Sequence, residues 1–412
     1  MRLPPYQNLS PDEQQRVIDY PLTDPARAGG SDGGTRPPAP PDDQDPDDQS
    51  GEGLEGCWRL LITGAPGTGK TVLAAYRADS YASRKPPLDV RLLTYGRLLR
   101  MFIRNAVEDL NLTNKQVITY ALYMWGLFDR NPPQIRAFVY DWPEIMRRTG
   151  EGEIDSCRSL VVDEGQDLPN GFYLWAVATT DNLTVCADEN QRIYEEQSTL
   201  AAIRTWMGNP PEIRLTKNYR NTRRIAELAA HFFTGLETGI PDLPEPRDFE
   251  PEILVRRFDS DVDYARYIAI HAGNNRDEEI GVFAPDPTAM WRVFYLLRDE
   301  TDLEQGGRAR DTWPKVLQIY NRPRDGRPPP EVRFDRPGVF LTHLLMAKGL
   351  EFDTVILTRL ERFNKSLDDP ETKRLLYVLC SRARNRLEFH YAGNNRPGII
   401  GMLPEHLVRF EE

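Results

Sequence analysis

The strongest constraint on this chain is Gly64-Ala65-Pro66-Gly67-Thr68-Gly69-Lys70-Thr71, because of what flanks it. Arg59 to Thr63 reads as a short buried strand and Val72 to Tyr81 as a helix, so the glycines fall where a strand hands over to a helix. There, glycines let successive backbone N–H groups curl around an anion, and the helix N-terminus adds a favourable dipole. The expectation is a phosphate cradle for ATP running from Gly64 to Thr71. Lys70 would reach the β and γ phosphates, and the Thr71 hydroxyl would ligate Mg²⁺.

Further short apolar runs, Val90 to Leu93, Leu160-Val161-Val162 and Leu183-Thr184-Val185, each end in a polar or glycine-containing turn, the pattern of buried parallel strands. Helical faces lie among them: Ile225, Leu228, Ala229 and Phe232, then Met290, Val293, Phe294 and Leu297 after Asp286-Pro287. A second set of strands, Ile280 to Phe283, Gly338 to Thr342, Thr354 to Leu357 and Leu387 to Tyr391, repeats the style. Alternating strands and helices predict an α/β fold. The expected layout is an N-terminal segment 1–22, an acidic, Pro-rich disordered linker 23–56, a first domain 57–222 with a short helical insert near 99–153, and a second domain 223–412.

A phosphate loop needs an acid for Mg²⁺ and another for the attacking water, and strand ends present such groups. Leu160-Val161-Val162-Asp163-Glu164 supplies both. Asp163 is the candidate metal ligand and Glu164 the candidate general base.

The net charge of −11 argues less against a polyanionic partner than it first suggests. Residues 37–58 carry seven acids, from Asp42 to Glu55, and no Lys or Arg, leaving −4 for the rest. The four cysteines are scattered with no CxxC pair, so neither a zinc site nor a disulfide framework is expected, and a reducing cytoplasm fits. No apolar run approaches the ~20 residues of a bilayer span, and Met1 to Ser10 lack the pattern of a signal peptide, so no membrane partner is expected.

Four further strings join these two. Asp163-Glu164-Gly165-Gln166-Asp167, Ala187 to Tyr194, Leu215-Thr216-Lys217-Asn218-Tyr219-Arg220, Ala347 to Asp353 and Arg374 to Ala383 resemble, in order, the second to sixth motifs of the UvrD/Rep-like superfamily 1 helicases. The resemblance implies two RecA-like domains with ATP in the cleft between them. It implies that Gln166 links the nucleotide and nucleic-acid sites and that Gln191 senses the γ-phosphate. It gives Tyr219 an adenine to stack on, Arg220 an approach to the γ-phosphate, Glu351 a contact near the ribose, and Arg382 the place of an arginine finger. Leu9 to Ile18 resembles the family's Q motif, with Gln14 or its neighbour Gln15 reading adenine through an amide that both donates and accepts.

Thr94, Tyr95 and Arg97 follow a strand in the manner of the family's single-strand-contacting motif, and Thr119 matches the next one more loosely. All four are candidate nucleic-acid contacts. Trp125 and Trp142 read as core residues rather than base platforms.

The pattern departs from the family in three places. Tyr194 is followed by Glu195-Glu196-Gln197 where relatives carry an aromatic and an Arg, and His343, Leu345 and Met346 replace the usual start of the fifth motif. The large accessory domain between the fourth and fifth motifs is reduced to Asp299 to Pro337. Two functions are therefore expected. One is a motor that hydrolyses ATP while moving on single-stranded DNA, or RNA, in the family's 3′ to 5′ sense. The alternative is a nucleic-acid-gated ATPase switch that does not unwind and acts with an effector or nuclease partner protein.

Overall fold

The computed structural model describes residues 9, 14–20, 58–107, 110–136, 139–154, 156–192, 197–304, 317–320, 332–334 and 336–411. The linker 23–56 lies outside them, as do Tyr194, Glu195 and Glu196. Two parallel sheets organise the chain, and their strands fall in separate stretches of sequence.

The first stretch runs α1 (Arg16–Asp19), β1 (Trp58–Gly64), α2 (Lys70–Ala82), β2 (Val90–Thr94), α3 (Arg97–Ala106), β3 (Val117–Thr119) and α4 (Tyr120–Leu127). It continues with the hairpin β4 (Gln134–Arg136) and β5 (Val139–Tyr140), then α5 (Trp142–Gly150), β6 (Ser159–Val162), α6 (Asn170–Thr179), β7 (Asn182–Ala187), α7 (Leu200–Trp206) and β8 (Glu212–Leu215). Six of these strands form a sheet in the order β3-β2-β6-β7-β1-β8, every pair parallel. Their side chains are buried on both faces, which explains continuous apolar runs such as Leu160-Val161-Val162 in place of alternation. Because β6, β7 and β1 are neighbours, the loops at their carboxyl ends emerge side by side.

The second stretch holds α8 (Arg223–His231), β9 (Ile253–Phe258), α9 (Asp261–Asn274), β10 (Glu279–Ala284), α10 (Pro287–Glu304), β11 (Leu317–Ile319), β12 (Gly338–His343), β13 (Phe352–Leu357), α11 (Pro370–Cys380), β14 (Ala383–Ala392), α12 (Gly398–Gly401) and β15 (Val408–Glu411). Its seven-stranded sheet has the order β11-β12-β10-β13-β14-β9-β15, again all parallel. Side-chain caps start several helices: Thr119 before α4, Asp141 before α5, Thr199 before α7, Ser260 before α9 and Asp369 before α11.

One apolar core runs across both stretches. Phe102 of α3 meets Phe334 edge-on at 5.5 Å, and Phe334 leads on to Phe340 and Phe352. Leu99 fills the space where Gly349 lacks a side chain. The two sheets are therefore joined by packing, and polar groups line the cleft beside it.

Two segments differ from the sequence reading. The stretch 99–153, expected to be helical, also contributes edge strand β3 and the β4–β5 hairpin, and the reduced stretch after α10 contributes β11. Strands of two or three residues are shorter than the window in which periodicity can be recognised. Among the described residues, no helix is long and apolar enough to cross a membrane.

Candidate active site

The glycine-rich turn joins β1 to α2 with Gly67 at φ 87° and Gly69 at φ 91°, a region where a side chain would be strained. Space is limited as well: a Cβ on Gly67 would come within 2.4 Å of Asn218 Oδ1, and one on Gly69 within 2.6 Å of Gln14 Nε2. Lys70 opens α2 and bends its buried ammonium back over the loop. It donates to the carbonyls of Gly64 at 2.7 Å and Ala65 at 3.0 Å and lies 3.6 Å from Asp188. Gln14 sits over the same loop and donates to Thr68 O at 3.2 Å. Gln15 instead donates to Leu9 O, within the N-terminal segment. Tyr219 N donates to Gly67 O at 2.9 Å, which leaves the Tyr219 ring 48% exposed beside the loop.

Asp163 and Glu164 leave β6 next to this loop, and their environments differ sharply. Asp163 is buried, and neither carboxylate oxygen has a well-formed hydrogen bond among the described residues. Burial, with the Glu164 charge adding to it, pushes its pKa up to about 7, against the opposing pull of Thr71 and Lys70. Glu164 adopts a left-handed backbone at φ 57° and receives a 2.5 Å hydrogen bond from Gln166 Nε2. Burial alone would raise its pKa too, but Lys348 and Lys70, with that hydrogen bond, hold it below the usual range. Gln166 Oε1 accepts from Asp188 N at 2.9 Å, tying the turn after β6 to the one after β7.

A hard divalent cation suits the place where Thr71 and Asp163 meet. The donors are oxygens, and a buried carboxylate whose pKa is raised by burial is the group whose cost a cation offsets.

The facing groups come from the second sheet and from the turn after β8. Arg382, 1% exposed between α11 and β14, donates to Val378 O at 2.9 Å, Leu350 O at 3.2 Å and Gln191 Oε1 at 3.2 Å. Burial first and Arg220 second draw its pKa down to about 10. Lys348 crosses the cleft to Asp167 Oδ1 at 2.5 Å and Gln191 O at 2.7 Å. Arg220 pairs with Glu351 at 2.5 Å, and Arg384 lies 3.5 Å from the other Glu351 oxygen while also binding Asp353 and Glu279. Burial would raise the Glu351 pKa, but Arg220 and Arg384 outweigh it and hold the carboxyl low. Asn221 Nδ2 donates to Ser381 O at 3.2 Å and Ala383 O at 2.5 Å, fixing the end of the Asn218-Tyr219-Arg220 turn to the second sheet.

The structure thus gathers Gln14, Lys70, Thr71, Asp163, Glu164, Gln191, Tyr219, Arg220, Glu351 and Arg382 around one cleft. Glu351 requires a correction, since its carboxylate is occupied by two arginines rather than presented for a sugar. Thr94 and Thr119 also require one. Both are buried at strand ends; the Thr94 hydroxyl donates to Gly96 O and the Thr119 hydroxyl caps α4 at Leu122 N, so neither is offered to a polymer. Tyr95 and Arg97 are exposed just beyond β2. Trp142 packs at the edge of the core against Phe172, whereas Trp125, expected in the core, is 41% exposed. Lys348, Asp188 and Arg384 carry cleft contacts although sequence reasoning did not select them. Lys348 stood inside a recognised string, and its isolation as the cation beside Gly349 was the available signal.

No protein-family model and no curated protein matches the chain. Among solved structures, the chain is similar to the C-terminal domain of a possible DNA helicase from Lactobacillus plantarum WCFS1, at 18% identity and a TM-score of 0.32, covering 47% of this chain and 98% of that one.

Proposed function

We propose that this chain is a nucleic-acid-dependent ATPase on the UvrD/Rep-like superfamily 1 plan, with two RecA-like domains, Mg²⁺–ATP between them, and hydrolysis coupled to movement on single-stranded DNA. The observation that carries this reading is the 3.2 Å contact of Arg382 with Gln191, where an arginine of the second sheet meets a polar turn of the first beside Lys70 and Asp188. A cation that reaches the phosphates only with the cleft closed ties hydrolysis to motion.

In this reading Lys70 exchanges the carbonyls of Gly64 and Ala65 for phosphate oxygens. Thr71 and Asp163 hold Mg²⁺, which when bound neutralises charge building on the phosphates. Glu164, kept ionised by its lysines and aimed by Gln166, takes the proton as water oxygen attacks the γ-phosphorus and the bond to the β-phosphate oxygen breaks. Arg382 and Gln191 then turn from each other to the transferring group. Tyr219 stacks on adenine, and the exposed pair Tyr95 and Arg97 meets the strand.

The second reading, a nucleic-acid-gated switch serving an effector or nuclease protein without unwinding, draws on the short path between Glu304 and Gly338. Among the described residues, β11 is the only regular element there. Steady-state ATPase with and without single-stranded DNA or RNA, with Lys70→Ala as control, tests the shared core: no stimulation by any polymer would remove both readings. Partial duplexes with a 3′ or 5′ overhang then separate motor from switch.

A further inference from the structure

The one buried arginine of α2 has no place in the chemistry above. Arg77 is 1% exposed, two helical turns after Lys70, in a helix otherwise packed with Val72, Leu73, Ala74, Ala75 and Ala78. Its guanidinium donates from Nη1 to the carbonyls of Val17 at 3.2 Å, Ile18 at 2.9 Å and Tyr20 at 2.5 Å. It also lies over the rings of Tyr20 and Tyr81, with centroids at 5.7 and 5.2 Å. The carbonyls belong to the last turn of α1, where a helix has acceptors without internal partners and a cation is favoured. Four residues cannot sustain a helix alone, so α1 depends on what it docks against. Gln14 lies two residues before the start of α1 and rests on the Thr68-Gly69 corner.

We propose that Arg77 is a positioning residue for base recognition, holding α1 so that the Gln14 amide is set at a fixed distance from the phosphate-binding Lys70. The proposal rests on the nucleotide reading above. α2 acts as the ruler: Lys70 at its first turn grips the loop, and Arg77 grips the segment that carries the base-reading amide. The buried charge is offset where Nη1 meets the Val17, Ile18 and Tyr20 carbonyls and where the guanidinium face covers two tyrosine rings. Lysine would keep the charge but lose the flat guanidinium face that lies over the Tyr20 and Tyr81 rings and fixes the angle at which Nη1 meets the carbonyls.

Equilibrium binding of Mg²⁺–ATP, Mg²⁺–GTP and inorganic tripolyphosphate to the full chain tests this, with thermal melting as a check on folding. Arg77→Lys should weaken ATP about tenfold, the factor of roughly one hydrogen bond, and leave GTP and tripolyphosphate unchanged. Gln14→Ala should do the same, and the double variant no more than either alone. Arg77→Ala is the harsher test of folding, and the Lys variant remains decisive if it fails. Equal loss of ATP and tripolyphosphate in Arg77→Lys would overturn the proposal, as would retention of full preference for ATP. Wild-type protein that binds tripolyphosphate and ATP alike would remove base reading while sparing the phosphate site. Binding of neither would remove the nucleotide reading itself.

Discussion

The two walls of the cleft manage buried charge in opposite ways. On the first, Asp163 is enclosed with both oxygens lacking a well-formed partner, and Lys70 donates to backbone carbonyls with Asp188 3.6 Å away. On the second, Glu351 is paired with Arg384 and with Arg220, which reaches over from the turn after β8, and Arg382 spreads its donors over Val378, Leu350 and, across the cleft, Gln191. Unsatisfied buried charge is costly unless a ligand relieves it, whereas a paired network is costly only to break. In the proposed function the first wall is the side that takes the ligand and the second the side that holds the geometry. The contrast can be broken one side at a time.

The largest effect should come from Arg382, one of the groups that join the walls, through its contact with Gln191. Arg382→Ala should lower polymer-stimulated kcat by about 10³- to 10⁵-fold while leaving the Kd for Mg²⁺–ATP within a few-fold. Single-turnover hydrolysis together with equilibrium binding checks this. A variant that loses binding and turnover in parallel would place Arg382 in ground-state binding and remove the division between the walls.

Next is the base on the ligand-taking wall. Glu164→Gln keeps the shape and the Gln166 neighbour but cannot accept a proton, so kcat should fall by about 10²- to 10⁴-fold with nucleotide binding retained or tightened. Unchanged kcat would move the base elsewhere.

The paired wall should respond in stability. Glu351→Gln leaves Arg220 and Arg384 without their shared countercharge, and breaking a buried pair costs about 3 to 5 kcal/mol. Exposure of Arg220 and Arg384, 16% and 22% at their side chains, moves the expectation to the lower end or below it. Chemical denaturation reads this directly. A loss no larger than that of a surface substitution would show that the network does not hold the geometry.

These effects bear on how much the sequence disclosed. The glycine-rich turn between β1 and α2 was legible because its glycines fall between an apolar strand and a helical stretch, and β6 announced its two acids by ending an apolar run. The buried strands were legible for the same reason: both faces are covered, so hydropathy alone marks them. What escaped is set by three-dimensional neighbours. Thr94 and Thr119 read as surface contacts, but both are buried at strand ends, where the Thr94 hydroxyl donates to Gly96 O and the Thr119 hydroxyl caps α4. Trp125 read as core because tryptophan usually is, and only the packing of α4 turns it outward. The Arg220–Glu351–Arg384 network joins residues too far apart in sequence for spacing to reveal. Arg77 shows in the sequence as the one charged residue among the small and apolar positions from Val72 to Ala78.

The subtlest prediction concerns pH and returns to the first wall. Asp163 and Asp167, with pKa values pushed up to about 7 and about 6, and Asp188, also raised, all shift in the same direction, burial being the largest cause for each. A carboxyl whose pKa is higher folded than unfolded contributes stability below its ordinary pKa and loses it as pH rises through the folded value. The protein without metal should therefore lose melting temperature between about pH 4 and 7, through these groups. Mg²⁺ competes with the proton on Asp163, so the metal should raise the melting temperature more at pH 8 than at pH 6. The paired wall shifts the other way, since Glu351 is held low and stays ionised throughout this window. Asp163→Asn should abolish the pH dependence of the Mg²⁺ effect, and Glu351→Gln should leave it intact. If both variants flatten it alike, the two walls are one coupled charge system rather than a ligand-taking side and a geometry-holding side.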